Sequence, residues 1–178
     1  MSEILDVVNR NDEVIGQAER DVVHAEGLIC RMVYVWFVTP DKKIILQRRS
    51  LTKKSAPGKL ITTVSGHVES GSTYLLTAVK ETFEETGVRV KPEDLVDVGV
   101  NYASYPHGAY LSNGMRASYI YHFNGDLKTL KIEEGEGVGF ELWKTEDVLN
   151  AVKTNPEQFA AFMADTPSIT IIKKIQNS

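Results

Sequence analysis

The sequence predicts an α/β domain, either α+β or a layered α/β/α sandwich, built on a mixed central sheet. Segments typical of strands and of helices alternate along the chain without a strict strand-helix-strand repeat. No repeat, linker or low-complexity tract interrupts them. With 178 residues, of which 42% are hydrophobic and 25% charged, the chain can bury one core. We therefore expect a single domain over residues 1–178.

Strand signals dominate the first part of the chain. LDVVN and EVIGQ flank the turn-prone RND, which predicts an opening β-hairpin over residues 4–17. MVYVWFVTP and KIILQRR flank PDK in the same way and predict a second hairpin. A loop from Ser50 to Lys59 then leads to a further strand signal, LITTVSG.

Helices are predicted in the middle and at the end of the chain. The first covers about residues 73–86, with Ser72 as the N-cap and Gly87 as the C-terminal stop. Strand signals return at LVDVGVNYAS, RASYIYHF and GFELW. TEDVLNAVKT and PEQFAAFMAD are typical of helices and predict C-terminal helices over about residues 145–165.

Composition and charge exclude several classes of function. The net charge of −4 gives no general attraction to nucleic acid, so no nucleic-acid partner is expected. The longest apolar run, Met32 to Val38, is far too short to span a bilayer, and the acidic N-terminus lacks the apolar stretch of a secretory signal. The single cysteine, Cys30, cannot form an internal disulfide. We expect a soluble, cytoplasmic protein with no membrane partner.

The predicted central helix carries three closely spaced glutamates, Glu81, Glu84 and Glu85, in VKETFEETGV. A helical wheel places them outward, opposite an apolar stripe that we expect to pack: Leu75, Val79, Phe83 and Thr86. Such an acidic face is often simply solvated. Within the predicted helix, however, no lysine or arginine follows any of the three glutamates at i+4, so their repulsion is left uncompensated. A bound divalent cation would compensate it.

The longer stretch GHVESGSTYLLTAVKETFEETGV resembles the Nudix box, the signature of hydrolases that cleave nucleoside diphosphates linked to another moiety. The matching positions are Gly66, Glu81, Glu84, Glu85, Gly87 and Val88. Three positions depart from the pattern, with Ser72 in place of a glutamate, Lys80 in place of an arginine and Thr82 in place of an aliphatic residue. The resemblance implies a Nudix-type α/β/α sandwich.

A second segment, QRRSLTKKSAPGKLITTVSGHVESG, resembles the isopentenyl-diphosphate isomerase branch of the Nudix superfamily, and the resemblance covers roughly Leu5 to Trp143. It implies that Arg49 and Lys53 contact a diphosphate. Arginine offers a planar fork to phosphate oxygens and lysine a mobile point charge, which suits that role. Taken without the neighbouring box, RRSLTKK could also be a solvated basic loop.

The residues of the isomerase centre are missing. Ser65 stands where that family has its catalytic cysteine. His24 could be the first of two metal histidines, but Arg31 occupies the second position. The segment LSNGMRASYIYHF, which resembles the one that carries the remaining acidic ligands, contains no carboxylate. An isomerase is therefore the less favoured interpretation, although a diphosphate clamp could persist.

The Nudix resemblance implies a Mg²⁺ site, with Mn²⁺ as an alternative, because hard cations prefer oxygen ligands and substrate phosphates. By the resemblance, Glu84 and Glu85 are metal ligands, Glu81 is a ligand or the catalytic base, and the carbonyl of Gly66 completes the site. The cation would polarise the diphosphate and activate a water for attack on phosphorus.

The family often adds one more carboxylate from a loop across the cleft. KIEEGEGVGFELW offers Glu133, Glu134 and Glu136, and Glu136 is placed best relative to Trp143 by resemblance to related sequences. An exposed acidic turn is an equally good interpretation for any one of them. The residues interpreted as structural are His67, Cys30, Trp36 and Trp143.

Two functions remain open at this point. The first is a Mg²⁺-dependent Nudix pyrophosphohydrolase acting on a nucleoside diphosphate derivative or a related organic diphosphate. The second is a Nudix-like module that binds a nucleotide or diphosphate without cleaving it. The intact glutamates favour the enzyme. The sequence identifies no particular small-molecule substrate, and a homodimer is expected only because proteins of this resemblance commonly form one.

Overall fold

The computed structural model describes residues 3–107 and 110–178 of the chain. Its helices are α1 (Arg20–Glu26), α2 (Tyr74–Thr86), α3 (Thr145–Thr154) and α4 (Thr166–Asn177). The strands are β1 (Ile4–Val8), β2 (Val14–Glu19), β3 (Cys30–Val38), β4 (Lys43–Arg49), β5 (Leu60–Ile61), β6 (Val64–His67), β7 (Leu95–His107), β8 (Tyr110–His122) and β9 (Gly137–Lys144). Both predicted hairpins are present as β1-β2 and β3-β4.

Strand β3 is the centre of a mixed sheet. Strands β1, β4 and β6 pair with it in antiparallel orientation, whereas β8 runs parallel to it along its whole length. The sheet extends outward through β2, β5, β7 and β9. β6 pairs with only part of β3, and its residues Ser65, Gly66 and His67 line a cleft.

The two faces of the sheet are covered by different helices. Alternate residues of β3 point to opposite faces, as strand geometry requires. Tyr34, Trp36 and Val38 join a core that includes residues of α3 and α4. The intervening Val33, Val35 and Phe37 join a second core that includes Ala78 of α2. This confirms the predicted α/β fold with helices on both sides of a mixed sheet.

Helix α2 differs from the prediction in its N-cap residue and in the face that it buries. Thr73, not Ser72, is its N-cap, with the Thr73 side chain accepting a hydrogen bond from the Leu76 N–H at 3.3 Å. Gly87 ends the helix as predicted, at a φ of 72° that favours glycine. The predicted apolar stripe is correct in part: Leu75 and Val79 pack against the second core and Thr86 is buried, but Phe83 is 42% exposed. The fully buried positions of the helix are small or polar residues, namely Thr77, Ala78, Thr82, Glu85 and Thr86.

The physical reason lies in the strand beneath the helix. α2 packs on β6 and β3, and β6 presents Ser65 and Gly66, so small side chains allow a close approach. The approach turns Glu81 and Glu85 toward the sheet rather than toward solvent. The outward placement of all three glutamates is therefore wrong, and only Glu84 keeps a largely exposed side chain.

The C-terminal helices also differ from the predicted range of 145–165. Helix α3 begins at the predicted position, but PEQFAAFMAD forms two short 3₁₀ turns, Pro156–Gln158 and Ala161–Ala164. α4 was not predicted, because its β-branched residues are typical of strands. Asp165 caps α4 by accepting from the Ser168 N–H at 2.7 Å. In the described residues, none of the helices has both the length and the apolar character to cross a bilayer.

Candidate functional site

A cleft of about 180 Å³ brings together residues from distant parts of the sequence. Its walls come from β3, β6, α2, the loop after β4, the loop before β9 and the second 3₁₀ turn. All the residues predicted to act at a site line it: Arg49, Lys53, Gly66, Glu81, Glu84, Glu85 and Glu136. The cleft has two chemically distinct ends. The charged end contains the glutamates with Arg49 and Lys53, and the aromatic end contains Tyr34, Tyr105 and Phe162.

The charged end begins with the contact between Gly66 of β6 and Glu81 of α2. A Cβ atom at position 66 would lie 2.4 Å from Cδ and 2.7 Å from Oε2 of Glu81. Only a glycine lets the carboxyl group rest against the strand at this point. Burial, and then the neighbouring Glu84, raise the pKa of Glu81 to about 7. Its negative charge is therefore poorly compensated.

Glu85 lies deeper, with 2% of its surface exposed. Its Oε2 accepts a hydrogen bond from Gln47 Nε2 at 2.7 Å, and its Oε1 accepts one from the Ser65 N–H at 3.2 Å. Burial raises the pKa of Glu85 well above its ordinary value, and the Gln47 hydrogen bond offsets this only in part. A carboxyl group held in this way is costly to ionise unless a cation lies near it.

Glu84 is the most exposed of the three glutamates. Lys80 Nζ lies 3.9 Å from Glu84 Oε2 and 2.5 Å from Glu69 Oε1. The glutamates therefore do have one lysine neighbour, which lies four residues before Glu84 rather than after it. Both side chains of the Lys80 and Glu84 pair are more than 40% exposed, so solvent screens their attraction.

The opposite wall supplies the two predicted basic residues and a second group of acids. Lys53 forms a salt bridge with Glu136, and the Ser50 N–H donates to the Glu136 carbonyl at 2.9 Å. These contacts tie the basic loop to the acidic loop. Glu133 also lines the cleft, and burial followed by Glu136 raises its pKa. Glu134, the third acid weighed from the sequence, is not among the lining residues.

Arg49 is held by the loop that it precedes. Its Nε donates to the Ser55 carbonyl at 3.0 Å, and its Nη2 donates to Ser55 Oγ at 3.3 Å. The side chain lines the cleft together with Lys53. The structure thus places both basic residues on the cleft that holds the glutamates.

The charged end fits a hard divalent cation by its donor chemistry, although its carboxylates are spread out. Within residues 3–107 and 110–178, no three histidine, cysteine, aspartate or glutamate side chains converge closely enough to hold an ion as they lie. The donors are nevertheless oxygen atoms, as Mg²⁺ and Mn²⁺ prefer. Burial raises the pKa of both Glu81 and Glu85, so a cation beside them would favour their charged forms. Glu84 lies near enough to Glu81 to help raise its pKa, so the two carboxylates share this end of the cleft.

The aromatic end was missed by the sequence analysis. The rings of Tyr34 and Phe162 lie with their centroids 4.6 Å apart, and Tyr105 lies beside them on the same cleft. Beneath them, Arg116 is 3% exposed and forms an ion pair with Asp165. These residues come from β3, β7, β8 and the end of the chain, so no local motif could have grouped them.

His67, interpreted from the sequence as structural, also lines the cleft. Its Nε2 lies 3.0 Å from Nε2 of His24, whose Nδ1 lies 3.1 Å from the Leu111 carbonyl. Since a carbonyl only accepts, His24 Nδ1 carries a proton, and in neutral His24 the Nε2 then accepts from His67. Burial lowers the pKa of both rings, which favours these neutral forms.

Arg31, which replaces the second histidine of the isomerase pattern, does not reach the cleft. Its Nε donates to Asp12 Oδ1 at 2.7 Å and its Nη2 donates to the Asp12 carbonyl at 2.6 Å. Tyr74 donates to the same carboxylate. Arg31 therefore joins the β1-β2 turn to the start of α2.

Comparison with known proteins gives one family. A family model described as NUDIX domain matches residues 30–165. An uncharacterized Nudix hydrolase of Clostridium acetobutylicum is 27% identical over 140 residues, which cover 77% of this chain and 68% of that protein. An uncharacterized Nudix hydrolase of Streptomyces coelicolor is 40% identical over 90 residues, which cover 51% of this chain and 50% of that protein. The chain thus spans about half the length of the second relative.

Solved structures show the same fold. The crystal structure of DR0079 from Deinococcus radiodurans has a TM-score of 0.73 at 23% identity, with 97% of this chain and 99% of that chain covered. The NUDIX domain of Shewanella oneidensis NrtR, solved in complex with ADP ribose, has a TM-score of 0.58 at 13% identity, with 82% and 85% covered. At these identities the likeness concerns the fold.

Proposed function

The chain belongs to the NUDIX domain family, and from this premise we propose that it is a Mg²⁺-dependent pyrophosphohydrolase that cleaves a diphosphate linkage in a nucleoside diphosphate derivative or a related organic diphosphate. The prediction of a Nudix hydrolase is confirmed at the level of the family and its relatives. The metal, the substrate and the roles of individual residues are our proposal.

One observation carries the proposal. Glu81 and Glu85, buried with insufficient counter-charge, share a single cleft with the basic residues Arg49 and Lys53. A site that held only a cation would not need the basic residues, and a site that held only an anion would not need the glutamates. A cation and a diphosphate bound together satisfy both sets of charges.

The residues that would hold the cation are Glu81, Glu84, Glu85 and the carbonyl of Gly66, with Mn²⁺ as a possible substitute for Mg²⁺. When bound, such a cation neutralises charge on the diphosphate and on the leaving oxygen. No residue departure from the family pattern removes one of these donors, since Ser72, Lys80 and Thr82 differ only beside them.

The side chains of the cleft then divide the remaining tasks. Arg49 and Lys53 bind and orient the phosphates through charge-assisted hydrogen bonds. Lys53 exchanges its present partner, Glu136, for phosphate oxygens, which leaves the Glu136 carboxylate facing the substrate. Glu81, which lies against Gly66, is either a further ligand of the cation or the base that accepts the proton of the attacking water. Arrangement of the reactants for in-line attack supplies most of the acceleration in phosphoryl transfer.

Several finer expectations remain predictions. They are the resemblance to the isopentenyl-diphosphate isomerase branch, a cytoplasmic location and a homodimer. A nucleotide ligand is supported by analogy, because the NrtR domain was solved with ADP ribose. The alternative function is a module that binds such a ligand without cleaving it, and thermal unfolding together with the activity measurements distinguishes the two.

The experiment measures release of phosphate or nucleoside monophosphate from a panel of nucleoside diphosphates, sugar nucleotides, dinucleotides and prenyl diphosphates, with Mg²⁺, with Mn²⁺ and with EDTA. We expect metal-dependent release, and we expect Glu84→Gln and Glu85→Gln each to reduce it by at least about 100-fold, more than the loss of an outer-shell partner. Glu146→Gln, at an exposed position of α3, is the matched control and should retain full activity.

Thermal unfolding separates the two candidate functions. Mg²⁺ should raise the melting temperature of the wild-type chain, because a ligand that binds the native state stabilises it. Stabilisation by nucleotide with no turnover on any substrate of the panel would favour the binding module. Full activity in both Glu84→Gln and Glu85→Gln would refute the site assignment.

A further inference from the structure

Gln47 is a buried polar side chain on a strand whose neighbouring positions are apolar. It lies on β4 with 1% of its surface exposed, directly after the fully buried Ile45 and Leu46. Alternate residues of a strand share a face, so Gln47 points to the same face as Ile45, which packs in the core with Ala78 of α2. An amide in such a position costs free energy unless its polar atoms are hydrogen-bonded. The contacts of the Gln47 amide therefore indicate its role.

The amide nitrogen of Gln47 has two acceptors. Nε2 donates to Glu85 Oε2 at 2.7 Å and to the Thr63 carbonyl at 3.3 Å. Thr63 is itself fixed, because its hydroxyl donates to the Ile45 carbonyl and accepts from the Phe37 N–H at 2.9 Å. In the opposite orientation of the amide, Oε1 would face two acceptor oxygens, so these contacts determine which end of the amide points toward Glu85.

The amide oxygen of Gln47 shows that packing does not account for this residue. Oε1 is buried and has no hydrogen-bond partner among residues 3–107 and 110–178. A buried acceptor without a donor is unfavourable, and an apolar side chain of the same length would fill the space without this cost. What distinguishes glutamine from such a side chain is the N–H that reaches Glu85.

Gln47 and Ser65 together hold both oxygen atoms of the Glu85 carboxyl group. Oε2 accepts from Gln47, and Oε1 accepts from the Ser65 N–H at 3.2 Å. A carboxylate oxygen has two lone pairs, so after one hydrogen bond each oxygen keeps a lone pair that can bind a cation. Both donors are neutral. They therefore fix the direction of the carboxylate without repelling a cation, as a lysine or arginine in the same place would.

We propose that Gln47 is a positioning residue of the charged end, whose amide holds the Glu85 carboxylate in the direction that a divalent cation requires. Gln47 is not among the residues that line the cleft, so it acts through Glu85 and contacts neither the cation nor the substrate. This inference rests on the proposed function, which assigns Glu85 to the cation. A neutral donor behind the metal ligand is what the chain contributes at this point.

The alternative is that Gln47 only fills space between β4 and its neighbours. Its side chain does pack closely, since a Cβ added to Gly137 of β9 would lie 3.1 Å from Cγ and Cδ of Gln47. Methionine has nearly the same length and no hydrogen-bond donor. Gln47→Met therefore keeps the packing and removes the contacts with Glu85 and Thr63, so the two roles predict different results for one substitution.

The test is binding of Mn²⁺ to the whole chain without substrate, measured from the electron paramagnetic resonance signal of the free ion. We expect Gln47→Met to weaken Mn²⁺ binding by about 10- to 100-fold, as the loss of a partner behind a metal ligand does. Gln47→Leu is shorter and also lacks the donor. It should show the same loss, and it replaces Gln47→Met in the test if that variant does not fold.

Gln17→Met is the matched control. Exposed Gln17 also donates to a carboxylate, that of Asp6 at 3.2 Å, but it does not line the cleft. Its replacement should leave Mn²⁺ binding unchanged.

A double-mutant cycle separates positioning from a general structural effect. In the Glu85→Gln background the remaining Mn²⁺ affinity depends on the other donors, and Gln47→Met should reduce it by less than about twofold. An equal loss with and without the Glu85 carboxylate would overturn the inference. If the wild-type chain binds Mn²⁺ and Gln47→Met binds it equally well, the inference alone is refuted. A wild-type chain that binds no Mn²⁺ would refute the proposed function, and the inference with it.

Discussion

The two ends of the cleft each bury ionisable side chains, but they balance charge differently. At the aromatic end, Arg116 and Asp165 form an ion pair in which each charge has an opposite partner. At the charged end, Glu81 and Glu85 lie against β6, and burial raises the pKa of both; Lys80 offsets this effect only in part for Glu81. The two charges of the first arrangement balance each other in the folded chain. Under the proposed function, a bound cation would balance the charges of the second arrangement, and such an imbalance is typical of functional sites.

The largest effect is expected when one charge of the buried Arg116–Asp165 ion pair is removed. Asp165→Asn removes the charge that balances buried Arg116, and we expect it to lower the free energy of unfolding by about 3–5 kcal/mol. Urea-induced unfolding followed by circular dichroism measures the change. Asp21→Asn is the control, because Asp21 forms an exposed salt bridge with Lys54 and its loss should have no measurable effect. Equal effects of the two changes would show that the buried pair is not balanced as described.

Gly66→Ala tests the charged end through geometry alone. The added methyl group would lie 2.4 Å from Cδ of Glu81 and must displace that carboxylate, while no charge is removed. We expect a loss of Mg²⁺ affinity and of hydrolysis of about 10- to 100-fold. Isothermal titration with Mg²⁺ and initial rates measure the two quantities.

Gly139→Ala is the matched control for this change. Gly139 is also a strand residue, and a Cβ there would meet no atom within 4 Å. It should keep both the affinity and the rate of the wild-type chain. If Gly66→Ala behaved in the same way, the contact between Gly66 and Glu81 would have no part in the site.

The strands and the central helix were predictable because their signals are local. Gly87 ends α2 and the turns after Asn9 and Thr39 form the hairpins, since each depends on a few adjacent residues. The orientation of α2 was not predictable from its own wheel. Which face is buried depends on the close approach to Gly66 and Ser65, which belong to another element.

The two ends of the cleft also differ in how far apart their residues lie in the sequence. The glutamates and the basic loop fall within one stretch of sequence, so spacing and resemblance could identify them. Arg116, Tyr34 and Phe162 meet only because β8 runs parallel to β3 and because the chain returns across the sheet near its end. No pattern of spacing encodes that meeting, and α4, which Asp165 caps, was itself missed.

In the absence of metal, lowering the pH should raise the free energy of unfolding through Glu81. The balanced Arg116–Asp165 pair differs from the charged end in this respect. The pKa of Glu81 is raised from an ordinary 4.5 to about 7, so the folded chain binds more protons than the unfolded chain between these values. The resulting stability is present below about pH 4.5 and is lost as pH rises toward about 7. Glu85→Gln removes one buried charge and should therefore raise the free energy of unfolding in EDTA at pH 7.5 by about 1 kcal/mol.

Thermal unfolding in EDTA across this pH range measures both effects. Glu84→Gln is the control, since its more exposed carboxylate should change stability by less than about 0.5 kcal/mol. A Glu85→Gln variant less stable than the wild type at pH 7.5 would show that the carboxylate has a counter-charge that the cleft contacts do not reveal.

The smallest effect is expected at Lys80, the one cationic neighbour of Glu84 on α2. Its Nζ lies 2.5 Å from Glu69 and 3.9 Å from Glu84, and it is about half exposed, so Lys80→Gln should cost less than about 1 kcal/mol of stability. Removal of this positive charge also ends its repulsion of an incoming cation, and Mg²⁺ affinity should rise by about two- to threefold. Isothermal titration with Mg²⁺ at low salt measures this change. A tenfold loss would instead mean that Lys80 holds Glu84 in its binding position, as the arginine of the family pattern could, and that the charged end is partly preorganised by the chain itself.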